Sequence, residues 1–406
     1  MPDPERTLPP RLAWALTLVA TSTMAVSYVD RQAVAALGPT ITDELHIGEA
    51  AFGWLGSAFS VAYLVGAPLA GRMIDAVGAR RGLVGSVLVW SAVSALHGLV
   101  PGFGALLVLR VLLGLAESPS FPGAAQTVTR ALPAHQRSVG FGILFTGSSI
   151  GAAISAVVAP TLAIWWGWRG ALVGTAVVGL AWIPLWLAVT GPAAARAALD
   201  QEGPRTENGG WTALLAMPSV WRALAATIAS APTVGLVLQF GAKLLASEHG
   251  VTQAGVRTFL WLPPLLFDAG AVGIGLLGTL YARRHPGVPP RALFAVAAAL
   301  TAMVGLVPLT HTPWGTTLAL GFALAGAGGV YALATADMLT RVPANLVASA
   351  GGLTAAAQSL SLIVAFPLIG YAVESSRSYH VPALALAAWV VPGAVFWLLV
   401  SPLKRA

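Results

Sequence analysis

Seven ionisable side chains stand inside long apolar stretches: Asp30, Arg31, Arg110, Glu117, Lys243, Asp268 and Asp337. A charge at the centre of a bilayer costs about 2.5–3.5 kcal/mol even on the lenient insertion scale, so side chains kept there are functional candidates by default. Tyr28 and Arg31 are three residues apart and share a helix face, whereas Asp30 is turned about 100° from Arg31. One face can bind an anion while the acid beside it meets a neighbouring helix. Arg110 and Glu117 are seven apart, on nearly one face and about 10 Å apart along it. The competing reading is a static network, since two arginines and two acids sum to zero. A buried balanced quartet gains little over apolar packing, which favours a functional reason for keeping it.

Other candidates are less pointed. Gln239, Gln358, Ser359 and Ser361 can meet ligand hydroxyls or serve as helix–helix glue. Lys243 lies near a span end, where it can snorkel to the interface. Asp268 is deeper and can pair with a helix backbone or with Lys243; Asp337 suits an inner gate. His97 reads as a core or interface residue. With no cysteine, seven scattered histidines, and no nucleophile–base pair or phosphate loop, neither a metal site nor an enzyme is expected.

The elements that position these residues follow from composition. The 406 residues are 57% hydrophobic and 9% charged, against about 25% charged in soluble proteins, which excludes a water-soluble globular chain. Twelve stretches have the length of a membrane helix: about 12–37, 50–73, 82–99, 104–127, 138–162, 170–190, 217–246, 256–281, 292–310, 315–339, 346–373 and 382–402. The first reads as an uncleaved helix, because it is longer than a signal peptide's apolar region. With a cytoplasmic N-terminus, 16 of the 22 Lys and Arg residues fall inside, among them Arg6, Arg205, Lys404 and Arg405. That bias places both termini in the cytoplasm. The net charge of +7 then borders the inner leaflet in short pieces, with no stripe suited to nucleic acid. The polar stretch 191–216 divides the chain into a six-helix bundle over 1–190 and another over 217–406. Two such halves suggest duplicated bundles around a midplane site. The Trp165-Trp166-Gly167-Trp168-Arg169 run fits an interfacial aromatic belt.

Between the second and third spans, Gly71-x3-Asp75-x2-Gly78-x-Arg80-Arg81 resembles the loop signature of the major facilitator superfamily. Gly71 and Gly78 permit close packing and a tight turn, and Asp75 is placed to accept hydrogen bonds at the positive end of a neighbouring helix. The resemblance implies that this neighbour is the eleventh span, beginning near Asn345, and that the contact latches the cytoplasmic side. The usual basic residue after the aspartate is Ala76 here.

Tyr28-Val29-Asp30-Arg31-Gln32, Ser57-Ala58-Phe59 with Tyr63, Trp90-Ser91, and Arg110-x2-Leu113-Gly114-x2-Glu117 with Phe121-Pro122 look like the anion:cation symporter family, especially its hexuronate branch. Pro263-Pro264-x3-Asp268-x-Gly270 and Ala336-Asp337 with Pro343 add a weaker match. Three positions that would read substrate depart from it: Gln126 replaces a frequent Lys, Ser148 a larger amide, and Gln358 an Asn-containing stretch. The resemblance implies the all-α major facilitator fold. It makes Arg31 the partner of a substrate carboxylate, with Tyr28 and Tyr63 hydrogen-bonding it and Ser148, Gln239 and Gln358 completing the site. Asp30 and Glu117 become the proton-accepting acids, with Arg110 their companion. Burial favours the protonated carboxyl, whereas arginine keeps its charge.

The expected function is a proton-coupled symporter that imports an organic monoanion, such as a hexuronate or aldonate, by alternating access. It would be a monomer in a bacterial inner membrane, with protons as coupling ion and no cofactor. The alternatives are a Spinster-type lipid or lysolipid transporter, similar in its Asp-Arg and its fourth-span acid, and a non-transporting sensor on a transporter scaffold. An organophosphate antiporter would need a second deep arginine in the seventh span, where only Lys243 stands.

Overall fold

In lipid a backbone must satisfy its own polar groups, which leaves long apolar runs only the helix or the closed barrel. The computed structural model describes residues 8–133, 136–199, 211–343 and 346–401, and every regular element among them is helical. The membrane-length helices are α1 (Pro10–Ala36), α2 (Glu49–Val77), α3 (Ala79–Leu99) and α4 (Phe103–Ala131), followed by one continuous stretch over Arg137–Thr190. That stretch of 54 residues would be roughly 80 Å long as a single helix, far beyond a bilayer of about 30 Å. It breaks at Gly167, whose φ of 65° and ψ of 175° suit glycine alone. The parts before and after Gly167 are α5 and α6, so eleven apolar stretches contain twelve spans. The rest are α7 (Pro218–His249), α8 (Val256–Arg284), α9 (Arg291–Leu309), α10 (Pro313–Leu339), α11 (Val347–Ser376) and α12 (His380–Leu399).

The chain forms two compact units: Met1–Leu45 with Ala58–Arg205, and His46–Ser57 with Thr206–Ala406. The first turns of α2 thus belong with the second unit, where the sequence division put them in the first. Proline chemistry is part of the reason. Pro367 in α11 has no N–H for the Ile363 carbonyl four residues earlier, and the Ser57 hydroxyl donates to that carbonyl at 2.7 Å. The Ala50 amide donates to Glu374 at 3.0 Å, and Tyr379 donates to Glu49 at 2.8 Å. Pro232 in α7 likewise frees the Ile228 carbonyl, which accepts from Ser361 and Trp389, each at 3.1 Å. Downstream, α7 relaxes into a π-helical turn over Leu236–Phe240.

Within the first unit, Trp182 and Trp186 stack at 5.1 Å, and the Trp186 indole donates to the Arg80 carbonyl. Within the second, Trp397 stacks on Phe294 at 3.8 Å and carries the Arg222 guanidinium 4.1 Å from its ring centre. Of the expected linker, Ala193–Leu199 and Trp211–Leu215 are helical, while 200–210 lies outside the described residues. So do Arg6, Asn345, Lys404 and Arg405.

Candidate functional site

The first unit gathers its charged residues around Arg31. Helical spacing puts Tyr28 and Arg31 on one face of α1, and Phe59 and Tyr63 face them from α2. The Arg31 guanidinium lies 4.4, 4.5 and 4.9 Å from the ring centres of Tyr28, Phe59 and Tyr63, close enough for cation–π attraction. Its fork reaches Glu117 on α4: Nε at 3.1 Å and Nη2 at 2.9 Å, both to Oε2, which also accepts from the Ser27 hydroxyl at 2.9 Å. The side chain of Glu117 is fully buried and that of Arg31 is 15% exposed. The contact of α4 with α2 depends on Gly114, where an added Cβ would lie 2.5 Å from the Phe59 carbonyl.

Although Arg110 and Glu117 share a face, no hydrogen bond or ion pair joins them among the described residues. Arg110 instead donates through Nη1 and Nη2 to the Arg31 carbonyl, each at 3.3 Å. Seven residues of helical rise separate Arg110 from Glu117, and the side chain that closes on Glu117 comes from α1. Asp30 makes no ion pair among the described residues; its Oδ1 accepts from Ser94 on α3 at 3.1 Å. Phe59, Ser27 and Ser94 belong to this cluster although the sequence did not single them out as ligands. The signal for Phe59 and Ser27 was present, since each lies four residues from a chosen residue, Tyr63 and Arg31. Ser148 donates to Phe145 in its own helix at 2.8 Å.

The loop signature holds a network within the first unit; Asn345, where the expected partner span begins, lies outside the described residues. Gly78 has a φ of 83° and turns the chain from α2 into α3. At Gly71 an added Cβ would find no atom within 4 Å among the described residues, so no close approach there requires glycine. Asp75 accepts from the Gln126 side chain at 3.0 Å, and the same amide accepts from the Ala79 backbone N–H at 3.1 Å. Gln126 therefore caps the start of α3 and ties the loop to α4, a structural task in place of the substrate reading expected of it. Arg81 is exposed, and the Arg80 carbonyl takes the Trp186 bond.

In the second unit Lys243 does not snorkel. It is 8% exposed, pairs with Glu49 at 3.1 Å and lies 5.2 Å from the Phe52 ring centre. A half-buried carboxylate so close outweighs the gain from reaching the interface. Burial and the Glu49 carboxylate hold the Tyr379 phenol well above its ordinary range. Gln239, in the π turn, donates to the Phe52 carbonyl at 3.5 Å; Gln358 and Asp268 are half-buried. Ser361, committed to Ile228, is glue. Asp337 pairs with Arg222 at 2.7 Å and Arg341 at 3.0 Å.

An arginine fork in an aromatic cage, closed by one buried carboxylate, can exchange that carboxylate for another. The chain is 26% identical to the hexuronate transporter of Escherichia coli (strain K12), covering 95% of this chain and 93% of that protein. It is 25% identical to the galacturonate transporter of Dickeya chrysanthemi, over 66% and 82%. Its fold matches a bacterial homologue of the human lysosomal transporter Spinster, in an inward-facing and unoccupied conformation, with a TM-score of 0.77 at 17% identity over 97% of each chain. The model of the Major Facilitator Superfamily matches residues 20–366, and the chain belongs to that superfamily of membrane transporters.

Proposed function

We propose that the protein is a proton-coupled symporter of a sugar acid, a hexuronate or aldonate, with both termini on the cytoplasmic side of a bacterial inner membrane. The names of its relatives support the substrate class. The observation that carries the mechanism is the Arg31–Glu117 pair inside the Tyr28, Phe59 and Tyr63 cage. A substrate carboxylate and the Glu117 carboxylate compete for one guanidinium fork. Protonation turns Glu117 into a poor partner and releases Arg31, so a proton and a substrate anion each favour binding of the other. Tyr28 and Tyr63 then donate to the substrate, while Gln239 and Gln358 stand on helices suited to meet its hydroxyls. Asp30, held apart on Ser94, is the second proton site.

The sign follows: affinity rises as pH falls through the range where Glu117 takes its proton. Counterflow in proteoliposomes with galacturonate, gluconate, lactate and a lysolipid tests the substrate class, and repeating it from pH 5.5 to 8.5 tests the competition. Counterflow of lysolipid but not of sugar acids would favour the Spinster-type reading. Absence of counterflow with all four would favour a sensor.

A further inference from the structure

The side of α3 that brings Ser94 to Asp30 continues to His97, three residues on, at the start of the 3-10 turn that ends the helix. His97 is 1% exposed, and its Nδ1 lies 2.8 Å from the Val93 carbonyl. A carbonyl only accepts, so Nδ1 carries the hydrogen and the neutral ring keeps its lone pair on Nε2. Nε2 is buried without a hydrogen-bond partner among the described residues, as are Asp30 Oδ2, Arg110 Nε, Glu117 Oε1 and Ser91 Oγ. A histidine retained only for packing would not need a bare buried nitrogen. Buried polar atoms in native proteins are nearly always satisfied by protein or internal water. His97 Nε2 and Asp30 Oδ2 are two such atoms on neighbouring helices of one unit, and internal water joining them would satisfy both, as one step of a hydrogen-bonded track.

The charged groups around the track are few. Arg110 on α4 acts electrostatically on His97, and Glu117 on Asp30. Arg169 on α6, whose carbonyl packs on Gly98, directs its guanidinium to Glu44 instead. His97 opens the last turn of its helix, which ends at Leu99, so it lies nearer the loop end than Ser94, which bonds Asp30.

Resting on the proton-coupling reading above, we propose that His97 is a relay residue that carries protons between the loop end of α3 and the Asp30 carboxyl. Water at the loop end gives a proton to Nε2, forming the imidazolium. The same nitrogen then releases it through bridging water to Asp30 Oδ2, which becomes the acid as the ring returns to neutral. Because Nδ1 stays bonded to Val93, Nε2 both takes and gives the proton, and no ring flip is required.

The test uses the full chain in proteoliposomes with radiolabelled galacturonate. His97→Gln keeps a donor for the Val93 carbonyl but cannot carry a proton. Its counterflow is expected within about twofold of wild type, while uptake driven by an acid-outside gradient falls at least tenfold. Ser94→Ala leaves the ring seated but removes the hydrogen bond that orients the Asp30 carboxyl for the relay, so it is expected to slow gradient-driven uptake in the same direction. A substrate-free arm follows proton binding to detergent-purified protein after an acid jump with a pH dye. The phase that Asp30→Asn removes should slow at least tenfold in His97→Gln and in Ser94→Ala. Wild-type rates in a folded His97→Gln or Ser94→Ala overturn the relay while leaving proton coupling intact. Wild-type counterflow with no response to a pH gradient overturns the coupling on which the relay rests.

Discussion

A guanidinium enclosed by three aromatic rings and gripped by one carboxylate is suited to trade partners and poorly suited to removal. Arg31→Lys should keep the charge but lose the two-pronged geometry, weakening substrate binding at least tenfold, and Arg31→Ala should abolish it; isothermal titration with galacturonate reads both. Arg31→Ala also strands the fully buried Glu117 side chain with only Ser27 as partner. Removing one member of a buried pair costs about 3–5 kcal/mol, so the variant should melt at a lower temperature. Adding Glu117→Gln should return much of the loss, because the stranded charge is then gone; thermal unfolding in detergent checks this. At this scale the sequence showed which residues carry charge in apolar surroundings, and their faces on each helix. It did not show the pairing of Arg31 with Glu117, because periodicity orients a side chain on its own helix and says nothing of the neighbour it meets. Gln126 illustrates the same limit: its amide satisfies Asp75 and the first N–H of α3, a task set by the loop's fold.

At the scale of elements, the twelve spans were legible because a lipid environment demands long apolar runs. The prolines, visible in the sequence, acquire their meaning only through the neighbouring helices that serve the carbonyls they free. Ser361→Ala removes one of two donors to the Ile228 carbonyl. Trp389 remains, and polar contacts between membrane helices average about 0.6 kcal/mol, so the single change should hardly move the melting temperature. Combining it with Trp389→Phe, which leaves that carbonyl bare, should lower the temperature clearly. The α5–α6 turn offers a pH-dependent counterpart. Arg169, with Trp168, holds the Glu44 carboxyl below its ordinary range. The folded form is therefore favoured above the ordinary carboxylate range, and that contribution is lost as pH falls through the lowered value. An acid titration of intrinsic fluorescence should show a transition there that Glu44→Gln abolishes. The π turn of α7 was not legible, since its surroundings are apolar on all sides and no pattern break announces a change of helical pitch.

For the whole molecule, the basic-residue bias predicts a topology that impermeant thiol labelling can test, because the chain has no cysteine of its own. Cysteines at Asn208, which lies outside the described residues, and at Ser376 should label from opposite sides; labelling from one side would refute the assignment. Coupling, on the function proposed above, is the other property that belongs to the whole chain. A symporter that accumulates its substrate must prevent the empty carrier from returning with its proton still bound, and the loaded carrier from crossing without one. In the proposed mechanism the Arg31–Glu117 pair meets both needs when Glu117 can ionise: the bare carboxylate recaptures Arg31 after substrate leaves, and the protonated acid releases Arg31 when substrate arrives. Glu117→Gln imitates the protonated state permanently. Exchange between loaded vesicles should persist in this variant, because the loaded carrier can still reorient, whereas accumulation driven by a pH gradient should disappear. Asp30→Asn should show a similar, milder defect, because Asp30 is bonded to Ser94 and not to Arg31. The measurement compares exchange with gradient-driven uptake in wild type, both single variants and the double variant at several pH values. Undiminished accumulation in all three variants would make the buried charges a static network that ties α1 to α4, and would remove proton coupling from the mechanism.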